Sequence, residues 1–338
     1  MTEYESQRKL YEEFADTVKN ILSKAIEQSA IKIHSIQSRA KSPQSLIRKI
    51  ERATPPFTDP LRQVTDLSGV RVITYFPTDL DAVAELVVKS FSVDEENSID
   101  KRKASDPTRF GYSSLHYVVQ LDSVRSGQVE YRRFADLKCE IQIRTILQHA
   151  WAEIEHDIEY KAEIDIPIEI RRRFAILSGL LELADREFES IRQEEEVIRR
   201  RIATSLSEDK LKIPINMVSL QEYLRDKRVG KYAFSDISPR ELSDLIADMQ
   251  DMGVNDIEAL NRAMKHFDLD ISEIRKNLKV LTSYQADLHP VGVIRIVLAR
   301  AYPKEFQKAM EAKLMMIKGG IREFNRQMTS EILRLVSR

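Results

Sequence analysis

The spacing of apolar residues changes twice along this chain, and that change restricts the folds open to it. Residues from about 4 to 30 carry apolar side chains at helical spacing, whereas residues 64–145 carry short runs with β-type alternation. After Thr145 the helical spacing returns and persists. Three runs give the strand signal: "GVRVITYF", "YSSLHYVVQL" and "LKCEIQIRT". We therefore predict an α/β or α+β core with helices before and after it.

Four further segments complete this prediction. Residues 42–52 have the spacing of a short helix, which "ATPPFTDP" ends, and residues 80–91 form a helix inside the strand region. The segment "DEENSIDKRKASDPTRF" reads as a largely polar loop inserted in the core. Residues 206–338 carry separate helix signals, with Ser238-Pro239 opening a helix, Gly253 closing it and Asn255 or Asp256 capping the next. We predict two domains, residues 1–205 and an all-helical 206–338.

A long helix joins these regions and carries a seam of apolar residues at alternating steps of four and three. Such a seam needs a partner surface, which is either the domain's own core or another subunit. The seam consists of Ile170, Phe174, Leu177, Leu181, Ala184, Phe188 and Ile191.

Charge and cysteine content exclude several classes of protein. The 53 basic and 54 acidic residues nearly cancel, so any nucleic-acid contact has to be local. The single cysteine, Cys139, sits among alternating apolar residues, which favours a buried structural thiol over a disulfide or a cysteine metal cluster. The N-terminal residues lack a signal-peptide pattern, and no apolar run approaches the ~18 residues of a membrane span, so we expect a cytoplasmic protein.

Polar residues recur on one face of each predicted strand. In "YSSLHYVVQL" the period of two places Tyr112, Ser114 and His116 on one face and Leu115, Tyr117 and Val119 on the other. In "LKCEIQIRT" it separates Lys138, Glu140, Gln142 and Arg144 from the apolar side chains. A solvated outer face would also give this pattern, but two polar faces in succession favour a cleft.

The helix after Thr145 adds polar residues to that cleft. Leu147, Ala150, Trp151, Ile154 and Ile158 are predicted to form its apolar face, and His149, Glu153, His156 and Tyr160 another. The spacing of the two histidines and the glutamate is not a usual zinc pattern, so we expect polar contacts at a cleft edge rather than a metal site.

Two more segments carry charged residues suited to phosphate chemistry. In "DLSGVR", Asp66 and Arg71 reach one site only if the chain bends, and Ser68-Gly69 offers that bend. "SRAKSPQSLIRK" supplies Arg39, Lys41, Ser45, Arg48 and Lys49 before or on a short helix. A site for a Mg²⁺-bound nucleotide needs carboxylates to bind the hard cation, basic side chains to bind phosphate and an aromatic ring to stack on the base. These segments and the predicted polar strand faces together supply all three residue types. No Walker loop, kinase glycine loop or dinucleotide fingerprint occurs in the sequence.

The segments "DLSGVR", "GYSSLH" and "EIQIRTILQHAWAEIEHDIEYK", in this order and spacing, resemble the RelA/SpoT synthetase family, which makes the alarmones ppGpp and pppGpp. The resemblance covers about residues 30–190, and the chain resembles the small alarmone synthetases of this family. It implies an α+β fold, with a mixed-sheet, nucleotidyltransferase-like synthetase core in residues 1–205. The helical domain of residues 206–338 would follow that core.

The reaction implied by the resemblance transfers the β,γ-pyrophosphate of ATP to the ribose 3′-hydroxyl of GDP or GTP and releases AMP. Asp66 would hold Mg²⁺, and Glu140 would help to hold it and accept the hydroxyl proton. Tyr112 would stack on the guanine, and His116 would contact phosphate or orient the acceptor. The implied ATP ligands are Arg39, Lys41, Ser45, Lys49 and Arg71. The implied acceptor and support residues are Gln142, Arg144, His149 and Glu155.

One departure from the family pattern leaves the acceptor open. Many alarmone synthetases carry a lysine three residues before the glycine of "GY", where this chain has Thr108 followed by Arg109. Arg109 takes over the acceptor phosphate in one interpretation. In others the acceptor differs, as in toxic members that modify the 3′ end of tRNA or make adenosine alarmones. A silent nucleotide-sensing module and a homo-oligomer also stay open, and the sequence does not identify the role of residues 206–338.

Overall fold

A five-stranded mixed sheet forms the centre of the first half of the chain. The computed structural model describes residues 2–100, 114–161, 167–226, 229, 237–266 and 290–316. The strands are β1 (Ile33–Ala40), β2 (Ser68–Thr74), β3 (Ser92–Asp100), β4 (Leu115–Gln120) and β5 (Cys139–Thr145). They lie in the order β1-β2-β5-β4-β3, with β2 and β5 parallel and the other neighbours antiparallel. The predicted mixed sheet flanked by helices is confirmed.

Two helices bury one face of this sheet. Helix α1 (Thr2–Glu27) and helix α4 (Pro77–Ser90) pack against the strands, and both were predicted from their apolar spacing. Phe14 and Val18 of α1 share one core with Val83 of α4 and with Val72 and Ile141 of the central strands. Because side chains alternate along a strand, this packing directs the intervening residues of β2 and β5 to the opposite face.

The alternation predicted for the third run, β5, is confirmed. Cys139, Ile141 and Ile143 are fully buried in the core, while Glu140 and Gln142 are half-buried on the other face. Cys139 is thus the structural thiol that the sequence indicated, and burial raises its pKa above that of an ordinary cysteine.

Five further helices lie in this half of the chain, and of these α2 agrees with the predicted short helix of residues 42–52. They are α2 (Pro43–Glu51), α3 (Pro60–Gln63), α5 (Ser123–Ser126), α6 (Ile146–Lys161) and α7 (Ile168–Ser207). Helix α2 begins where the Ser42 side chain accepts a hydrogen bond from the Ser45 amide, with a proline in its first turn. Leu46 of α2 is buried.

Three expectations about the core were wrong. Strand β1 was not predicted, because its polar residues interrupt the apolar alternation of Ile31, Ile33 and Ile36. Residues 94–100, predicted as loop, belong to β3, which pairs with β4 around an irregular register between Asp94 and Ile99. The bend expected at Ser68-Gly69 lies earlier, since β2 pairs regularly from Ser68 onward and Asp66 occupies the preceding turn.

The predicted apolar face of α6 was also wrong in part. Trp151 is buried as predicted, but Ala150, Ile154 and Ile158 are exposed, and the polar Gln148 shares the buried side of the helix with Trp151. The Gln148 side chain accepts a hydrogen bond from the Thr145 amide at 2.9 Å, so this buried polar group closes the junction between β5 and α6.

The chain divides into two units, Met1–Arg192 and Gln193–Arg338, within helix α7. The described helices of the second unit after α7 are α8 (Met217–Arg225), α9 (Pro239–Asp251), α10 (Ile257–His266), α11 (Pro290–Ala301) and α12 (Pro303–Met316). Ser238 and Glu241 form a reciprocal cap at the start of α9, and Gly253 follows that helix with a φ of 77°. Asp256, rather than Asn255, caps α10 by accepting the Ala259 amide. The predicted domains remain predictions.

None of the helices described could cross a membrane, because none combines sufficient length with sufficient apolar character.

Candidate active site

A cavity opens on the face of the sheet opposite α1 and α4. Strand pairing explains why its walls come from distant parts of the sequence: Gly69 of β2 lies between Arg39 of β1 and Glu140 of β5. Arg71 pairs in the same way with Gln142. The charged and polar walls include Arg39, Asp66, Arg71, Glu140 and Gln142. Five residues predicted for the site thus line one cavity.

The Asp66 carboxylate is held by two lysines from the segment after β1. Lys41 Nζ lies 2.5 Å from Asp66 Oδ2, and Lys49 Nζ lies 2.9 Å from Oδ1. The Lys41 and Asp66 side chains are only 14% and 17% exposed, so the ion pair is stronger than an exposed one. The turn before β2 therefore meets both the loop after β1, which carries Lys41, and the last turn of α2, which carries Lys49, at this carboxylate.

The Glu140 carboxylate is held on both oxygens. His116 Nδ1 lies 3.0 Å from Oε1, and the Gln142 amide donates to Oε2 at 2.7 Å. Burial acts to raise the pKa of Glu140, but the hydrogen bond and charge of His116, the Gln142 amide and the Lys49 charge outweigh it and hold the pKa at about 2. Glu140 is accordingly ionised throughout the physiological range.

Lys49 connects the two carboxylates electrostatically. Its ammonium group binds Asp66 directly, and its charge also lowers the pKa of Glu140. Asp66 and Glu140, which are far apart in sequence, therefore share the field of one cation and line the same cavity.

Arg39 and Arg71 line this cavity, and Arg144 lies within electrostatic reach of both. Arg71 donates to Glu153 of α6 at 2.8 Å. Burial lowers the pKa of Arg144, and the charges of Arg71 and Arg39 lower it further, while Glu140 and Glu153 act in the opposite direction. Three guanidinium groups within electrostatic reach of one another form a site that favours a polyanion such as a nucleoside triphosphate.

Three other predicted residues do not line this cavity, and two more lie outside the described part of the chain. Ser45 is exposed at the first turn of α2, and His149 and Glu155 are half-buried on α6. Burial and the Arg71 charge lower the pKa of His149. Its Nδ1 atom is buried, has no hydrogen-bond partner among the described residues and lies 3.7 Å from Glu153 Oε1. Tyr112 and Arg109 fall among residues 101–113, which the structure does not describe.

Gln37 and Ser38 of the cavity wall were not predicted as site residues. They lie on β1, and because that strand was not predicted from the sequence, these residues were not recognised as candidates. Ser114 was predicted to face the cleft but was not among the candidate site residues. Its hydroxyl lies 2.7 Å from His116 Nε2, and the residue is only 4% exposed.

The carboxylate oxygens of the cavity suit a hard divalent cation whose other ligands come from the phosphates of a substrate. Among the described residues no group of three or more histidine, cysteine, aspartate or glutamate side chains could hold a metal ion unaided. Mg²⁺ in phosphoryl-transfer enzymes commonly uses one or two carboxylates together with substrate phosphates. Asp66 and Glu140 line one cavity together with Arg39 and Arg71. Two carboxylates among basic side chains match a cation bound jointly by protein and substrate, rather than a structural metal site formed by the protein alone.

Comparison with known proteins gives an independent result. Residues 38–165 match the family model described as the region found in RelA/SpoT proteins. The chain is 30% identical over 166 residues to GTP pyrophosphokinase YwaC of Bacillus subtilis, covering 48% of this chain and 75% of YwaC. It is 32% identical over 167 residues to GTP pyrophosphokinase YjbM of the same organism, covering 48% and 73%.

Solved structures similar to this chain include small alarmone synthetase 1 of Bacillus subtilis bound to its product pppGpp. That match has 26% identity and a TM-score of 0.47, and covers 56% of this chain and 98% of the other. The matched residues 38–165 contain β1 from Ser38, α2, β2, β5 and α6, which supply the cavity and its surroundings. From the family match and the extent of similarity to YwaC, the chain belongs to the RelA/SpoT family.

Proposed function

We propose that this protein is a Mg²⁺-dependent pyrophosphotransferase that moves the β,γ-pyrophosphate of ATP to the 3′-hydroxyl of GDP or GTP. The observation that carries the proposal is the convergence of Asp66 and Glu140 on one cavity lined by arginines and flanked by two lysines. The names of YwaC and YjbM as GTP pyrophosphokinases support the same reaction. The products would be ppGpp or pppGpp, and AMP.

In this reaction the acceptor 3′-oxygen bonds to the β-phosphorus of ATP, and the bond from that phosphorus to the bridging α,β-oxygen breaks. The oxygen leaves with AMP, and the hydroxyl proton passes to Glu140, which is ionised at neutral pH. His116 and Gln142 fix the orientation of the carboxylate that receives the proton. Bound Mg²⁺, held by Asp66 and Glu140, would neutralise phosphate charge.

The cations of the cavity would bind ATP. Lys41 and Lys49, beside Asp66, are positioned for the phosphates, and Ser45 at the start of α2 lies near them in sequence. Arg39 and Arg71, both in the cavity wall, would hold the adenine between their planar guanidinium groups. Gln142, Arg144 and His149 would bind or support the acceptor, together with Tyr112, Arg109 and Glu155.

The experiment that tests the proposal is transfer of label from γ-³²P-ATP in the presence of Mg²⁺. GDP, GTP, an adenine nucleotide and deacylated tRNA would each be offered as acceptor. We expect labelled ppGpp or pppGpp with an equal amount of AMP, because AMP rather than ADP is released by pyrophosphoryl transfer. Label on tRNA or on an adenine nucleotide alone would overturn the guanine acceptor, and ADP as the product would overturn the reaction class.

The matched variant is Glu140→Gln, which is nearly isosteric with the native residue. Loss of a positioned base typically costs 10²–10⁴-fold in rate, and we expect a loss in this range without loss of the folded state. Nucleotide binding by the native protein without turnover would instead indicate a sensing module. Activity of Glu140→Gln within tenfold of the native protein would exclude Glu140 as the base.

A further inference from the structure

Glu153 of α6 binds a wall residue of the candidate active site but has no role in the proposed reaction. Its Oε1 atom accepts a hydrogen bond from Arg71 Nη1 at 2.8 Å, and Arg71 lines the cavity. The Glu153 side chain is 54% exposed, whereas that of Arg71 is 18% exposed. The carboxylate therefore lies at the edge of the Arg71 guanidinium group, where a ligand entering from solvent can reach it.

The two oxygens of the Glu153 carboxylate differ in their partners. Oε1 accepts from Arg71, and His149 Nδ1 lies 3.7 Å from the same atom. Among the described residues, none donates a hydrogen bond to Oε2. By contrast, Asp66 and Glu140 have a hydrogen-bond donor at each of their oxygens. Glu153 thus offers a ligand an acceptor atom that the two carboxylates of the cavity wall do not offer.

Arg39 and Arg71 are placed to hold a flat ring between them. They lie on neighbouring antiparallel strands, where Arg39 pairs with Gly69 and Arg71 is two residues farther along β2. Diagonal neighbours of this kind lie ~7–8 Å apart on one face of a sheet. That separation is close to twice the ~3.5–4 Å contact distance between carbon atoms. One aromatic base therefore fits between the two planar guanidinium groups.

Stacking between two arginines does not select the base. The proposed reaction brings two purine nucleotides into one site, with ATP as donor and GDP or GTP as acceptor. Every base has a π-face that stacks on a planar side chain, so Arg39 and Arg71 alone would accept either purine. Correct placement of the donor therefore needs a second contact, at the edge of the base, that distinguishes adenine from guanine.

Position 6 of the purine ring carries that distinction. Adenine has an amino group there, which donates hydrogen bonds, and guanine has a carbonyl oxygen, which only accepts them. An ionised carboxylate accepts hydrogen bonds and donates none. A carboxylate oxygen beside position 6 therefore attracts adenine and repels guanine.

We propose that Glu153 is a specificity-determining residue, whose Oε2 atom accepts a hydrogen bond from the 6-amino group of the ATP adenine stacked on Arg71. The inference rests on the proposed function, because that function places ATP between Arg39 and Arg71. Oε1 stays bonded to Arg71, so one carboxylate fixes the guanidinium group and also contacts the edge of the adenine.

Calorimetric binding of ATP and of purine riboside 5′-triphosphate, which lacks the 6-amino group, tests this contact in the presence of Mg²⁺. The native protein should bind the analogue about tenfold more weakly than ATP, because the analogue gives Oε2 no donor. In Glu153→Ala the two dissociation constants should agree to within about threefold. If Glu153 acted only by fixing Arg71, both nucleotides would bind the variant more weakly and their ratio would not change. Equal binding of the two nucleotides by the native protein, or an unchanged ratio in the variant, would overturn the proposal.

Donor selectivity during turnover gives a second measurement. Glu153→Gln replaces the carboxylate with an amide, which also donates and so can bind the guanine oxygen. With GDP as acceptor, the ratio of kcat/KM for γ-³²P-ATP to that for γ-³²P-GTP should fall by about tenfold or more. The matched control is Glu182→Gln, which breaks an exposed ion pair with Arg186 on α7 and should leave this ratio unchanged. A ratio for Glu153→Gln equal to that of the control would overturn the proposal.

The binding measurement separates failure of this proposal from failure of the proposed reaction, because it requires no turnover. If no acceptor receives label but ATP binds more tightly than its analogue in the native protein alone, the reaction is overturned and the role of Glu153 is supported. If label is transferred but the native protein binds ATP and its analogue equally, the role of Glu153 is overturned and the reaction is supported.

Discussion

His116 Nδ1 lies 3.0 Å from Glu140 Oε1, while the other ring nitrogen of His116 lies 2.7 Å from the hydroxyl of Ser114. The carboxylate only accepts hydrogen bonds at neutral pH, so the Nδ1–H donates to it. His116 and Glu140 come from the neighbouring strands β4 and β5, with His116 opposite Gln142 in their register, and Ser114 immediately precedes β4. The ionised form of Glu140 is therefore stabilised by strand pairing rather than by mobile loops.

The depressed pKa of Glu140 makes the free energy of unfolding depend on pH. A carboxyl whose pKa is about 2 in the folded protein and about 4.5 when unfolded stabilises the fold above pH 5. That contribution falls as the pH drops from about 5 through 2, and the loss is on the order of 2 kcal/mol by pH 3. Urea unfolding at pH 6 and pH 3 without Mg²⁺ measures it.

Glu140→Gln separates this effect from the titration of other carboxylates. Because the amide does not titrate, the variant should lose roughly 2 kcal/mol less than the native protein between pH 6 and pH 3. Equal losses in the two proteins would mean that the Glu140 pKa is not depressed in the folded state.

Ser114 is expected to position His116. In Ser114→Ala the imidazole loses the hydroxyl partner at Nε2, so its orientation toward Glu140 becomes less fixed. We expect kcat to fall by about tenfold with less than a twofold change in the KM for ATP. The matched control is Ser98→Ala on β3, which removes a hydroxyl that accepts the Val118 amide and should leave kcat unchanged. A kcat for Ser114→Ala equal to that of the control would contradict the positioning role.

The strands of the central core could be predicted because burial on one face gives a period of two. Cys139, Ile141 and Ile143 alternate with half-buried polar residues, and the sequence shows this directly. Edge strands β1 and β3 were missed, since a strand paired on one side and partly exposed needs fewer apolar residues. The apolar face of α6 was predicted correctly at Trp151 but not at Ile154 and Ile158, because Gln148 takes a buried position through its hydrogen bond with Thr145.

Site chemistry was more predictable than site geometry. The carboxylates and cations of the cavity were identified from residue type and family resemblance, and four of them line its wall together with the predicted Gln142. The sequence could not show that Gly69 lies between Arg39 and Glu140, because strand register arises from pairing over long separations. It also could not show that Lys41 and Lys49 both bind Asp66.

Cys139 should be unreactive in the native protein. It is fully buried, and burial raises the pKa of its thiol, which suppresses the nucleophilic thiolate. A thiol reagent such as DTNB should label no cysteine in the folded protein and one after denaturation, and pyrophosphotransfer should survive the treatment. Rapid labelling at neutral pH without unfolding would contradict the observed burial.

Asp66→Asn separates two roles of the Asp66 carboxylate, which are to stabilise the fold through its ion pairs and to support the reaction in the cavity. Loss of the charge leaves Lys41 and Lys49 beside each other uncompensated, and we expect the free energy of unfolding to fall by about 1–3 kcal/mol. The matched control is Asp94→Asn, since Asp94 is 16% exposed and binds Lys138 at 2.6 Å outside the cavity lining. The free energy of unfolding, measured with urea, should fall by a similar amount in both variants. The rate of pyrophosphotransfer should fall only in Asp66→Asn, by about 10²-fold. Equal activity in the two variants would show that Asp66 serves the fold alone.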